Sequence, residues 1–202
     1  MYVKDAKNIL SIWFQSKLFV WSLIGCYVTF IYSTLYIMRP ILNFLKATLG
    51  GYLNLGIVII FLIMLSLVLV HIISNRARYG VSQYLWFSFI SCLYGLAIYI
   101  VDVPEEQVHF IEYGILSGLI YIALTHDIHN NVYAYFLTVF IVFIFGAVDE
   151  VIQWILPNRI FDIRDIVING IAGILVQLLI AMVISKRKVI LISHGKDYVG
   201  KC

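Results

Sequence analysis

Residues 149–173 read DEVIQWILPNRIFDIRDIVINGIAG, a polar string set between two apolar runs that are each long enough to cross a bilayer. Pro157 marks a turn, so the string is the end of one span, a short loop and the start of the next. Carboxylates, an amide and arginines at the ends of membrane helices are costly to bury. Such groups face a bundle interior and mark a functional site by default.

The rest of the chain supplies the membrane context. Of its 202 residues, 62% are hydrophobic and only 12% charged, where a soluble domain carries about 25% charged residues. One water-facing core cannot hide that much apolar surface, so an all-α, polytopic membrane helix bundle is expected. About 20 apolar residues cross a hydrocarbon core as helix. Six stretches meet this, at 18–38, 52–74, 84–101, 109–125, 132–152 and 166–185. Ahead of them, Ile9, Leu10, Ile12, Trp13 and Phe14 among lysines read as a short interfacial helix. No cleavable signal peptide is expected, because the first apolar run spans and no small-residue cleavage motif follows it. The net charge of +3 carries no basic run, which argues against nucleic acid as a partner. Cys26, Cys92 and Cys202 show no paired spacing, so buried structural thiols are expected rather than a disulfide framework.

Short loops rich in Lys and Arg stay cytoplasmic. The amino-terminal segment, the 75–83 loop and the carboxyl tail share ten basic residues; the opposite side has Arg39, Lys46, Arg159 and Arg164. Both termini are therefore expected in the cytoplasm. The acids sort independently: Asp102, Glu105, Glu106, Glu112, Asp149, Glu150, Asp162 and Asp165 all fall on the outer half.

Helical spacing then groups these side chains. Asp162, Asp165, Asn169, Gly173 and Gln177 share a face of the last span. Gly146, Asp149, Glu150 and Gln153 share an arc of the fifth, and His109 and Glu112 stand three apart in the fourth. Lipid penalises each stripe, so the three are expected to face a common outer pocket, with Glu150 or Asp165 paired to Arg159, Arg164 or a bound cation. The competing reading is structural: Asp162 caps a helix, Asn169 and Gln177 bridge helices, and Gly114 and Gly118 allow close packing.

The blocks Asp149-Glu150-x-x-Gln153, Pro157-x-Arg159-x-x-Asp162-x-x-Asp165 and Asn169 through Ala172-Gly173, with the upstream Glu106-x-x-His109-x-x-Glu112-Tyr113-Gly114-x-Leu116, resemble the VanZ-like family of bacterial membrane proteins. Some relatives carry an Asp-Lys pair just before the histidine, where this chain has Glu106 and Gln107. The resemblance covers roughly residues 84–185, dividing the chain into an extension of two helices (1–83), a four-helix core (84–185) and a basic tail (186–202). It implies a multi-pass protein of the bacterial cytoplasmic (inner) membrane, tied by family name to low-level resistance to the glycopeptide teicoplanin.

Three functional readings stay open. The first is a cell-envelope factor whose outer pocket binds a lipid-linked or cell-wall-related ligand, or a glycopeptide, through His109, Glu112, Asp149, Glu150, Gln153, Arg159, Asp162, Asp165 and Asn169. The second is a membrane-embedded, metal-dependent hydrolase or transferase acting on a lipid-linked phosphate. There the carboxylates hold a divalent cation, with His109 as ligand or general base. The third is a small transporter, disfavoured because charge lies at one face and no inverted repeat is visible. Catalytic residues and the identity of any metal stay unassigned, and so does the question of whether the chain is an enzyme at all.

Overall fold

A computed structural model of the chain describes residues 16–101, 103–157 and 161–185. Six helices long and apolar enough to cross a membrane make up the described chain. They are α1 (Lys17–Leu49), α2 (Tyr52–Ser74), α3 (Val81–Ile100), α4 (Pro104–Leu124), α5 (Asn131–Ile155) and α6 (Ile163–Leu179), the last continued by a π-helical turn at Ile180–Ile184. The expected interfacial helix at 9–14, the basic tail, Cys202 and Arg159 lie outside the described residues.

The largest departure from the sequence reading is α1, which runs eleven residues past the expected end at 38. Pro40 lies inside this helix, where it removes an amide donor and crowds the carbonyl one turn back, yet the helix continues through it. Beyond it Leu42 packs on Leu53 and Ile57 of α2, so the extension is held by apolar contact. Gly50 then reverses the chain at φ 54°, left-handed backbone that a Cβ disfavours, and its N–H bonds the Lys46 carbonyl at 2.9 Å. Other ends follow ordinary rules. Pro104 opens α4 where no amide partner is needed, with Glu105 and Glu106 at the positive helix end. Asn130 caps α5 by accepting from the amides of Val132 and Tyr133.

Helices α4 and α6 form the centre. Each is buried over more than half of its apolar window, whereas the other four are mostly exposed. α4 packs against α1, α2, α5 and α6, and α6 also touches α3. The reason lies in their side chains. Tyr113, Leu116, Ile120, Ala172 and Leu175 form the core, while residues such as Phe30, Leu67 and Phe136 on the outer helices face away from it. That outward apolar belt suits hydrocarbon rather than water.

Close approach of α5 and α6 depends on glycine. A Cβ at Gly146 would sit 3.0 Å from the Asn169 Cβ, tighter than an ordinary contact, so Asn169 would have to give way to it. Gly118, expected to serve helix packing, has nothing within 4 Å of such a Cβ. Cys26 and Cys92 are free thiols, as expected, but exposed rather than buried. Apolar periodicity in a membrane span does not separate the core face from the lipid face.

Candidate functional site

The polar stripes meet at one end of the bundle, where α1, α3 and α5 end and α2, α4 and α6 begin. Asp149, Glu150 and Asn169 are fully buried, Gln153 is 2% exposed and His109 is 7% exposed. His109 Nδ1 stands 3.6 Å from Glu112 Oε2 and 3.8 Å from Asp149 Oδ2, so α4 and α5 place one imidazole between two carboxylates. Gln153, a turn beyond Asp149, donates to its Oδ2 at 3.4 Å. Three tyrosines close this layer from the sides. Tyr32 of α1 and Tyr113 of α4 both donate to the Phe145 carbonyl, and Tyr27 donates to the carbonyl of Glu112.

This layer is only partly satisfied. His109 Nδ1, Asp149 Oδ1, Glu150 Oε1 and both amide atoms of Asn169 are buried without a hydrogen-bond partner among the described residues. Each unmatched buried polar atom costs about 1–3 kcal/mol. Gln177 Oε1 is buried and unmatched in the same way, yet this residue bridges helices. Its amide donates to the Ser117 hydroxyl at 2.7 Å and to the Ser117 carbonyl at 3.2 Å, which makes it a helix-bridging group.

Toward the end of the bundle lies a polar cavity of about 480 Å³. Among the described residues, Gln153, Asp162 and Asp165 line one side of it, Val103, Glu105 and Glu106 another, and Arg39, Asn43 and Lys46 of α1 a third. Lys46 holds Glu105 at 2.9 Å. Arg164 Nη2 lies 3.1 Å from Glu106 Oε2, tying the first turn of α6 to the first turn of α4. Asp162 caps α6 through Oδ1 to the Arg164 amide, and its own amide donates to Glu150 Oε2 at 2.8 Å. An apolar cleft of about 730 Å³ adjoins, lined by Leu35, Tyr36, Ile37, Pro40, Leu156 and Pro157. Arg39 and Asn43 border both spaces.

Of the nine residues singled out from sequence, the structure brings together His109, Glu112 and Asp149 in the buried layer, with Glu150, Gln153 and Asn169 beside them. Asp162 and Asp165 stand above at the polar cavity. Arg159 is outside the described residues, so the expected pairing through it is undescribed; Arg164, the alternative, reaches Glu106. Among the described residues no three His, Cys, Asp or Glu side chains are grouped so as to hold a metal ion. Sequence reasoning missed Arg39, Asn43 and Lys46, whose spacing of four and then three is itself a helical stripe. It lay past the expected end of the first span and so was read as loop.

Chemically, the buried layer holds an imidazole flanked by carboxylates, and the cavity above it offers groups of both signs beside an apolar cleft. No curated protein and no solved structure matches the chain. A family model does, described as VanZ/LLP1, over residues 7–185, which takes in all six helices. The chain is therefore a multi-pass membrane protein of the VanZ/LLP1 family.

Proposed function

We propose that this VanZ-family protein binds the polar headgroup of a cell-envelope amphiphile at the outer face of the bacterial inner membrane. The observation that carries this reading is the junction of the polar cavity with the apolar cleft through Arg39 and Asn43. A water-soluble ligand has no use for the second space, and a plain hydrocarbon has none for the first. Placement at the outer face follows from the distribution of basic residues, since the cavity end bears the fewer. The link to teicoplanin resistance fits such a site, because an amphiphile-binding protein in the envelope bears on antibiotic access. Its test is native mass spectrometry of protein extracted from its own membrane. A retained amphiphile, lost in Asp165→Asn and Glu106→Gln at unchanged folding, is expected. Wild-type protein carrying none would end this reading.

One observation favours a second, catalytic reading. His109 between Glu112 and Asp149 has the arrangement of a general base oriented by carboxylates. It would act on a lipid-linked phosphate presented from the cavity, with water as the acceptor. Turnover of such a lipid by purified protein, abolished in His109→Gln, distinguishes it from binding alone.

A further inference from the structure

A second opening lies apart from the polar cavity, on the membrane flank between α2 and α3. These two helices barely touch, because α2 leans on α4 while α3 leans on α6. The cleft left between them holds about 400 Å³. Phe61, Leu62 and Leu65 line it from α2, and Ser91, Gly95 and Ile98 from α3. Ser91 and Ile98 stand seven residues apart, which is about 10 Å of helix. Phe61 and Ile98 are buried whereas Leu62 and Tyr99 are exposed, so the cleft has a closed back and a mouth open to hydrocarbon. A Cβ at Gly95 would meet nothing within 4 Å, so the missing side chain is part of the reason the space exists.

Gln107, in the first turn of α4, lines this cleft and is 5% exposed. Its amide nitrogen donates to the carbonyls of Val101 at 2.8 Å and Ile98 at 3.4 Å, closing the end of α3. A flipped amide would set its oxygen against those two oxygens, so the orientation is fixed. Oε1 is then a buried acceptor with no partner among the described residues. Gln177 leaves the same atom unmatched between packed helices, whereas Gln107 borders open space. Ser91 Oγ is unmatched too, but a serine inside a helix can turn to the carbonyl one turn back, as Thr29 and Thr138 do here. Gln107 therefore needs a donor, and the rest of the cleft offers mainly hydrocarbon. No carboxylate lines it among the described residues. An ammonium would give up its hydration there for one neutral acceptor, and a hydroxyl gives up far less. We propose that the cleft takes a membrane lipid with a free hydroxyl next to its chains, of the diacylglycerol class. The hydroxyl donates to Gln107 Oε1, and one chain runs along the cleft toward Ser91 and Leu65.

The test uses the full chain in detergent micelles and reads lipid binding by native mass spectrometry. Three lipids differ in one group only. They are dioleyl glycerol ether with its free hydroxyl, the same lipid capped as a methyl ether, and the same lipid with an amine in place of the hydroxyl. The hydroxyl lipid is expected to bind about tenfold more tightly than the methyl ether, the worth of one hydrogen bond in an apolar setting. Gln107→Leu should erase that difference while the methyl ether binds as before. That change also frees the end of α3, so a second variant leaves Gln107 in place. Gly95→Leu should fill the cleft and weaken all three lipids about tenfold. A thermal melt accompanies both variants. Equal binding of the hydroxyl and ether lipids by wild-type protein overturns the role of Gln107, and tightest binding of the amine overturns the choice of a hydroxyl. Unchanged binding in Gly95→Leu, at a wild-type melting temperature, puts the lipid elsewhere and overturns the site. No lipid bound overturns the whole proposal. The polar-cavity reading, tested by Asp165→Asn and Glu106→Gln, stands or falls separately.

Discussion

Glu150 Oε2 accepts the backbone N–H of Asp162 at 2.8 Å, and this one bond ties a buried acid of α5 to the capping residue of α6. One carboxylate oxygen therefore has a structural duty while the other, Oε1, is buried without a partner among the described residues.

That division predicts two different outcomes at one position. Glu150→Gln keeps a carbonyl oxygen for the Asp162 amide and should melt close to wild type. Glu150→Ala removes the acceptor and should cost about 1–3 kcal/mol of stability. Thermal unfolding in detergent checks this, and equal melting of the two variants would remove the structural duty from Glu150.

Glu112→Gln and Asp165→Asn change charge with little change in shape. If the cluster is a site and the wild-type protein raises the teicoplanin tolerance of a susceptible host, both should reach wild-type folded yield and yet lose that tolerance. Tolerance equal to wild type at matched protein levels would return these residues to a helix-bridging role.

Two glycines make a paired prediction about packing. Gly146→Ala places a methyl 3.0 Å from the Asn169 Cβ, and should destabilise by about 1–3 kcal/mol through overpacking. Gly118→Ala meets open space within 4 Å and should be neutral or stabilise by up to about 1 kcal/mol, since alanine favours helix. Melting temperatures that fail to separate these two variants would contradict the close approach of α5 and α6.

Topology is open to direct measurement. Single cysteines replacing Glu105 and Asn158 should react with a membrane-impermeant thiol reagent from outside the cell. Those replacing Arg78 and Lys188 should react only after permeabilisation. Cytoplasmic labelling at 105 would invert the bundle and bring the polar cavity to the inner face.

The sequence by itself determined the class of fold, the six spans and the polar faces of α4, α5 and α6. Hydrocarbon explains why: it offers no hydrogen bonds, so apolar length and the helical spacing of Asp149, Glu150 and Gln153 are legible one segment at a time. Only the tertiary structure decided which helices are central, since Phe30 and Tyr113 look alike in an apolar run although one faces outward and the other is fully buried. It also decided that α1 continues past its expected end at 38 to bring Arg39, Asn43 and Lys46 to the cavity, and that Arg164 reaches Glu106 on α4. Lys46 and Glu105 are 59 residues apart. Such partners are set by the order in which helices pack, and helical periodicity holds no information about that order.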